Sequence, residues 1–450
     1  MSSRAEELVY RYFLNKFSGK TETCGGMEIE MPLVNLSKKP VESEFLEAIL
    51  ELLQDAFGFR PTEFTMEGFP VKAVNENGDV FSFETSFNTL EFSMDKKKSI
   101  VEVADHFYLY LRALKKLEKR YNHLICGMGI NPYAQYADSR PLNTPSMLAK
   151  SEFLKNFTTH MDGESFHTFS ASTQTHIEVK LPKLPVFLNL LEKLSFVDAM
   201  LFANSLPFPY QESEWKAKLP STLQREMQKP DLCFRDALWR FCEAPNTAAF
   251  DQEYGSVEDI AAYLMELKLF IVSDGTGGFQ PIRPVKFADY FEDGRKPEED
   301  IAHFRALGPV AISKYGTIEI RQTCTQPLSR VFMPSAFYAG LVENYQSTSE
   351  LVDKFMQEDR LQAAGSILRY KAVHQEAIAP REKVNSLIMN LLEVSRKGLK
   401  KRGFGEEKFL EDVTDPYGFV ECPAEKQLRL REEGMTCEEI MFAYSEVSGS

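Results

Sequence analysis

Gly26-Met27-Glu28-Ile29-Glu30-Met31 is the stretch that decides the fold class of this chain, because it places two glutamates inside a run that otherwise indicates a buried strand. Successive side chains of a strand point to opposite faces, so Glu28 and Glu30 share one face while methionine and isoleucine occupy the other. Two neighbouring carboxylates are unfavourable unless a cation neutralises them, and a divalent ion with oxygen ligands can do so. The stretch therefore predicts a strand with one apolar face and one metal-binding face.

Two further segments repeat this acidic pattern. Phe83-Glu84 through Leu90-Glu91-Phe92 carries two glutamates, and Thr317-Ile318-Glu319-Ile320-Arg321 carries a glutamate and an arginine on the same strand face. Exposed glutamates, or a simple Glu319–Arg321 salt bridge, would explain each segment separately. Four or five glutamates and an arginine gathered on one sheet face instead indicate a nucleotide and metal site.

The composition of the 450 residues excludes several classes of protein. A net charge of −14 argues against nonspecific nucleic-acid binding and against attraction to anionic membranes. The seven cysteines show neither a CxxC pair nor zinc-like spacing, which indicates reduced thiols in the cytoplasm. The first residues lack the apolar core of a signal peptide, and no run approaches the length of a membrane helix. We therefore expect a cytoplasmic protein with small-molecule substrates, and neither nucleic acid nor a membrane as a partner.

Hydrophobic periodicity and turn residues predict an α+β fold, since the βαβ rhythm of a parallel sheet is missing. The predicted helices are 4–18, 42–57, 99–121, 185–204, 256–272 and 332–347. The predicted strands are 25–34, a meander over 61–93 with a turn at 75–78, 127–132 running into a loop, 168–181 and 316–324. We expect residues 1–450 to form a single catalytic domain, with a sheet-forming core over 1–348 and a mostly helical part over 349–450 packed on it.

The strand at 168–181 alternates strongly. Gln174, His176 and Glu178 share one face, while threonines, isoleucine and valine share the other. One of Gln174 and His176 is expected to contact substrate or phosphate. The pattern leaves open which of them does so, because a shift of two residues keeps the same face.

In their order and spacing, these motifs resemble the glutamate–cysteine ligase family of the plant and proteobacterial type. Each motif is weak alone, but together they cover nearly the whole chain. The similar segments are 28–30, 82–93, 172–177, 201–205, 234–236 with Trp239, 316–321, 398–403 and 423–426.

The resemblance implies a glutamine-synthetase-like fold, in which a curved antiparallel β-sheet forms a funnel with helices on its outer side. It also implies an ATP-dependent ligase that joins the γ-carboxylate of L-glutamate to the amine of L-cysteine through a γ-glutamyl phosphate. The products would be γ-glutamylcysteine, ADP and phosphate, in the first step of glutathione biosynthesis. Two or three Mg²⁺ ions would bridge the ATP phosphates and the acceptor carboxylate, held by Glu28, Glu30, Glu84, Glu91 and Glu319.

The resemblance also implies roles for the other site residues. Arg321, together with Glu319, would act in catalysis, because a guanidinium stabilises a transferring phosphoryl group or clamps a carboxylate. Arg321 and Gln174 would also contact ATP. Arg235 stands at the sequence position whose arginine, in the family, binds the α-carboxylate of glutamate. The other expected substrate contacts are Gln174, His176, Asn204 and Trp239.

Two segments depart from the family pattern at the substrate end of the site, at 241–245 and 322–324. A γ-glutamyl ligase that uses a different amine or amino-acid acceptor is therefore an alternative. A non-catalytic homologue that binds nucleotide or glutamate is a second alternative, although the retained glutamates and Arg321 weigh against it. A monomer or a homodimer is expected.

Overall fold

The computed structural model describes residues 3–17, 25–157, 168–207, 231–236, 245–247, 252–359, 361 and 365–447. The strands found in these residues are β1 Met27–Asn35, β2 Arg60–Phe64, β3 Pro70–Val74, β4 Val80–Phe83, β5 Thr89–Met94, β6 His123–Ile125, β7 Thr173–Ile177, β8 Lys268–Ser273, β9 Phe279–Lys286, β10 Val310–Ile312 and β11 Ile318–Ile320.

The centre of the fold is a nine-stranded antiparallel sheet within the described residues. Its strands lie in the order β10-β11-β7-β1-β5-β4-β3-β2, and β6 pairs with the C-terminal part of β1. β8 and β9 form a separate hairpin. Because β1 lies between β7 and β5, the acidic segments of the sequence meet in the middle of the sheet.

The described α-helices are α1 Arg4–Tyr12, α2 Ser43–Phe57, α3 Ile100–Tyr121, α4 Pro145–Phe157, α5 Leu184–Lys193, α6 Ser195–Phe202, α7 Val257–Glu266, α8 Phe287–Glu292, α9 Met333–Glu343, α10 Tyr345–Glu358, α11 Gly365–Val373, α12 Arg381–Arg402, α13 Pro423–Glu432 and α14 Cys437–Tyr444. The α+β prediction is confirmed, since a large antiparallel sheet combines with many helices. None of the described helices has the length and apolarity needed to cross a lipid bilayer.

Local sequence signals define the long helix α3. The hydroxyl of Ser99 accepts a hydrogen bond from the Glu102 amide at 3.2 Å, which confirms the predicted N-cap. Asn122 ends the helix in the left-handed conformation, with φ of 54°. Lys119 and Arg120 lie in the last turn, where positive charge complements the helix dipole.

One face of the sheet is apolar and packs against helices. Phe92 of β5 stacks on Tyr110 of α3, with ring centroids 5.5 Å apart, and meets the edge of Phe107 at 6.0 Å. On the same side, the hydroxyls of Thr175 in β7 and Ser335 in α9 are 2.7 Å apart. With this face covered by helices, the glutamates of β1 and β5 must project from the other face.

Three predicted elements differ from the structure. Residues 256–272 were expected as one helix, but α7 ends at Glu266 and β8 follows, because Leu269-Phe270-Ile271-Val272 is a buried apolar run that pairs with β9. A strand was expected at 127–132, but the strand in this region is β6, which ends at Ile125, two residues before Gly127. A Cβ atom on Gly127 would lie 2.2 Å from the Tyr444 carbonyl oxygen, so a close backbone crossing occupies this position. The helix expected over 185–204 is divided into α5 and α6.

Candidate active site

The polar face of the sheet forms one wall of a cavity of about 480 Å³. Among the predicted site residues that the structure describes, all but Asn204 line it: Glu28, Glu30, Glu84, Glu91, Gln174, His176, Arg235, Glu319 and Arg321. The fold therefore brings together side chains that are separated by up to about three hundred residues in the sequence.

The strand register determines which of these side chains are neighbours. Glu30 of β1 lies opposite Glu91 of β5, and Glu319 of β11 lies opposite His176 of β7. Residues directly opposite each other in an antiparallel pair have Cβ atoms about 4.5–5.5 Å apart. Four adjacent strands therefore concentrate carboxylates, an imidazole and a guanidinium on one small area.

Glu28, His176 and Glu319 form the first cluster. Each offers one ligand atom, and these atoms all lie within 4.8 Å of one another. The Nε2 atom of His176 is 3.3 Å from Oε1 of Glu28, and its Nδ1 atom is 2.8 Å from Oγ1 of Thr317. Arg321 donates a hydrogen bond to the Glu319 carboxylate. Thr317 and Arg321, which flank β11 on its two sides, therefore both contact this cluster.

The charges of the first cluster stabilise one another in the ion-free protein. Burial by itself would raise the pKa of Glu28, but the hydrogen bond and charge of His176, together with Arg321, lower it overall. Burial would likewise lower the pKa of His176, but its hydrogen bond to Glu28 and the charge of Glu319 raise it. A proton on His176 therefore supplies positive charge that a bound cation can replace.

Glu30, Glu84 and Glu91 form the second cluster, which carries an excess of negative charge. Glu30 accepts hydrogen bonds from the Ser172 amide at 2.7 Å and from Nε2 of Gln174 at 2.9 Å. Burial, followed by the charge of Glu84, raises the pKa of Glu30 to about 7. Burial and the neighbouring glutamates raise the pKa of Glu91 well above its usual value, although Ser93 donates a hydrogen bond to it.

Both clusters carry donor atoms of the types that divalent cations take, and in the first cluster these atoms lie close enough together to hold one ion. The second cluster offers carboxylate oxygens alone, which are the ligands that Mg²⁺ prefers. The first cluster adds the imidazole nitrogen of His176, a softer ligand than Mg²⁺ usually takes. The Thr317 hydroxyl at Nδ1 would hold the ring so that Nε2 faces the ion, as hydrogen-bonded partners of metal ligands commonly do.

Arg235 is a buried cation that faces this cavity. Its side chain is only slightly exposed, and its backbone amide donates to the Ser205 hydroxyl at 3.1 Å. Among the described residues, its Nε atom has no hydrogen-bond partner. An unsatisfied buried guanidinium N–H costs free energy, so a carboxylate ligand in the cavity would stabilise it.

Asn204, an expected substrate contact, is fully buried. Its Nδ2 atom donates to the carbonyl oxygens of Gly127 at 2.9 Å and Thr325 at 2.7 Å, and its Oδ1 atom accepts from Gln427 at 2.9 Å. These bonds occupy its polar atoms and join three segments of the fold, and Asn204 is not among the described residues that line the cavity. Trp239 lies outside the described residues.

Sequence reasoning identified His176 as a site residue that contacts substrate, and the structure adds that its ring nitrogen forms a possible metal-ligand group with Glu28 and Glu319. The orienting roles of Ser172 and Thr317 were missed. The i,i+2 spacing of Gln174 and His176 indicated the correct face, but the partners across the strands depend on a register that no local pattern shows.

No protein-family model and no curated protein sequence matches the chain. Among solved structures, it is similar to a glutamate–cysteine ligase from Francisella tularensis in complex with AMP, at 12% identity and a TM-score of 0.45, over 95% of this chain and 88% of that one. It is also similar to a bifunctional glutathione synthetase from Pasteurella multocida, at 11% identity and a TM-score of 0.41, over 98% of this chain. The matched region is 52% of that second protein, so the chain spans about half its length.

These two names match the family that the sequence motifs resemble. Similarities at this level carry no argument about activity. The function proposed below therefore rests on the residues of the cavity.

Proposed function

We propose that this chain is an ATP- and Mg²⁺-dependent carboxylate–amine ligase with a glutamine-synthetase-like, funnel-shaped sheet. Its proposed reaction joins the γ-carboxylate of L-glutamate to the amine of L-cysteine and yields γ-glutamylcysteine, ADP and phosphate. The observation that carries the proposal is the buried sheet face on which five glutamates and His176 converge, with Arg235 at the same cavity. A cytoplasmic monomer or homodimer, with these small molecules as its partners, completes the proposal.

The chemistry requires activation of a carboxylate, because an unactivated carboxylate is a poor acyl donor. Phosphorylation creates a leaving group, and two or three divalent ions in the two clusters would neutralise the charge on the phosphate oxygens. Arg321 is held against Glu319 at the cavity wall, where its guanidinium can stabilise negative charge on the transferring group. Positioning and electrostatics would therefore supply most of the rate enhancement.

The carboxylate substrate would bind next to these groups. Arg235 offers its unsatisfied Nε–H to the α-carboxylate of glutamate. Gln174 donates to Glu30, while its buried Oε1 atom has no partner among the described residues. That oxygen could accept a hydrogen bond from an amino group of a bound substrate, which would orient the substrate relative to Glu30.

The test is ADP or phosphate release by the purified protein with ATP, Mg²⁺ and L-glutamate, comparing cysteine with a panel of other amines. Strong stimulation by cysteine alone is the expected result. Stimulation by a different amine would support a γ-glutamyl ligase with another acceptor. Measurable ATP binding without release in the presence of any amine would overturn the ligase proposal and indicate a non-catalytic binding protein.

A further inference from the structure

The turn Ser313-Lys314-Tyr315-Gly316-Thr317 joins β10 to β11 at the rim of the cavity. The hydroxyls of Ser313 and Thr317 are 2.6 Å apart, and Gly316 has a φ of 73°. A Cβ atom on Gly316 would lie 2.5 Å from the Lys16 carbonyl oxygen, and Nζ of Lys16 donates to the Lys314 carbonyl at 2.7 Å. The turn is therefore held against the segment around Lys16.

The same turn contacts the first cluster. The Thr317 hydroxyl is bonded to His176, and the exposed ring of Tyr315 lies 6.4 Å from the His176 ring between centroids. The negative charge of Glu28 also acts on Lys314, whose pKa it raises. Its ammonium group therefore lies at the end of the carboxylate face that carries Glu28 and His176.

Lys314 lines the cavity together with two cations whose charges act on it, Lys72 of β3 and Arg305. In the part of the chain that the structure describes, none of the three forms an ion pair with a carboxylate. Burial, and then the charges of Arg305 and Lys72, lower the pKa of Lys314 to about 8. Like charges placed together in this way repel one another, and an anionic ligand would relieve the repulsion.

Arg235 marks the other end of the carboxylate face. Its charge acts on Glu30, whereas the charge of Arg305 acts on Glu28. Glu28 and Glu30 are two residues apart on β1, roughly 7 Å along the strand. The cavity therefore has Arg305 and Lys314 at the Glu28 end of the glutamates and one buried guanidinium at the Glu30 end, while Lys72 of β3 lies close enough to Lys314 for the two charges to act on each other.

We propose that Lys72, Arg305 and Lys314 bind the phosphate chain of the nucleotide and thereby fix its orientation, with the carboxylate substrate at the Arg235 end. This assignment rests on the proposed function, because it takes ATP as the polyanion. A carboxylate needs one guanidinium, but a triphosphate carries several charges that must be neutralised along its length. Lysines supply compact point charges for phosphate oxygens, and the arginine can engage two oxygens at once.

The test measures equilibrium binding of the ATP analogue AMP-PNP, and of AMP, to the full-length protein with Mg²⁺ by calorimetry. Lys314→Met and Arg305→Met keep an aliphatic stem and remove the charge. Each is expected to weaken AMP-PNP binding roughly tenfold or more, since a hydrogen bond to a charged group is lost. AMP, with a single phosphate, should lose much less. Lys397→Met is the matched control, because Lys397 is an exposed lysine of α12 outside the cavity lining, and it should bind AMP-PNP like the wild type.

Binding is measured without turnover, so the outcomes separate this inference from the ligase proposal. If wild-type protein binds AMP-PNP and both variants bind it equally well, the phosphate assignment is wrong while the ligase proposal stands. If wild-type protein binds no nucleotide with Mg²⁺, both are wrong. If Lys397→Met weakens binding as much as Lys314→Met, the loss does not come from the cavity and the phosphate assignment is wrong. Circular dichroism of each variant confirms that it is folded.

Discussion

At the residue scale, the glutamates of the second cluster determine how this site responds to pH. Glu30 and Glu91 are almost fully buried and lie opposite each other, and both have a raised pKa. A raised pKa in the folded state means that protonation stabilises the fold. For Glu30 this contribution is complete below the usual carboxyl pKa near 4.5 and is lost as the pH rises through about 7. The ion-free protein is therefore destabilised by this glutamate at neutral and higher pH.

We expect Mg²⁺ binding to release protons, and to release more of them at pH 6 than at pH 8.5. At pH 6 Glu30 is mostly protonated, because its pKa is about 7, and an ion must displace that proton. Titration calorimetry in two buffers with different ionisation enthalpies counts the protons. Glu30→Gln should reduce the release at pH 6. An equal release at both pH values would contradict this account.

Glu28→Gln tests the first cluster with a side chain of nearly the same shape. The substitution removes the charge that His176 and a bound ion would share, so ADP release should fall by more than about 100-fold. Glu258→Gln, on the exposed start of α7, is the control and should leave the rate within about twofold of wild type. Wild-type turnover in Glu28→Gln would exclude Glu28 as a ligand for a catalytic ion.

At the element scale, two glycines explain how closely α9 and α12 pack. A Cβ atom on Gly340 would lie 2.3 Å from the Ser395 carbonyl oxygen, and one on Gly398 would lie 2.1 Å from the Gly340 carbonyl oxygen. The Ser395 hydroxyl donates to the Phe337 carbonyl at 2.9 Å across the same contact. The helix backbones thus touch at a point where any side chain would separate them.

Gly398→Ala should therefore lower the free energy of unfolding by about 1–3 kcal/mol, because the added methyl group forces two helices apart. Gly294→Ala is the matched control, since the nearest atom to its added Cβ would be Nη1 of Arg4 at 4.0 Å. Urea unfolding of both variants gives the comparison. Equal stability of the two would show that α9 and α12 can move apart at little cost.

At the scale of the whole molecule, the buried guanidinium of Arg369 in α11 connects the helical part of the chain to the cavity. It donates to Asp198 of α6 at 2.9 Å and to Asp236 at 2.5 Å. It also donates to the Gln322 carbonyl at 3.1 Å, just beyond β11. Asp236 adjoins Arg235, so the C-terminal helices position the arginine that we assign to the carboxylate substrate. We infer that the chain behaves as a single domain.

Arg369→Met should cost about 3–5 kcal/mol of stability, because it leaves the buried Asp198 and the partly buried Asp236 without their cation. Arg396→Met breaks a more exposed ion pair with Glu393 and should cost less than about 1 kcal/mol. Urea unfolding followed by both fluorescence and circular dichroism should show one coincident transition in the wild-type protein. Two separate transitions would contradict the single-domain inference.

The sequence by itself determined the faces of the central strands, the turn at 75–78, the Ser99 cap and the set of acidic residues at the site. These features follow from local rules, since an i,i+2 pattern or a capping residue is determined by its own neighbours. The prediction of one helix over 256–272 was wrong because a short apolar stretch suits a buried strand as well as a helix.

Only the tertiary structure decided which of these residues work together. A strand moved by two residues presents the same face, so the pairing of Glu30 with Glu91 and the grouping of His176 with Glu28 and Glu319 depend on long-range register. The hydrogen bonds of Asn204 to Gly127 and Gln427 likewise join segments that are distant in sequence. The cations Lys72, Arg305 and Lys314 come from two distant segments, since Arg305 and Lys314 are close in sequence and Lys72 is not, and proximity of that kind exists only once the chain has folded.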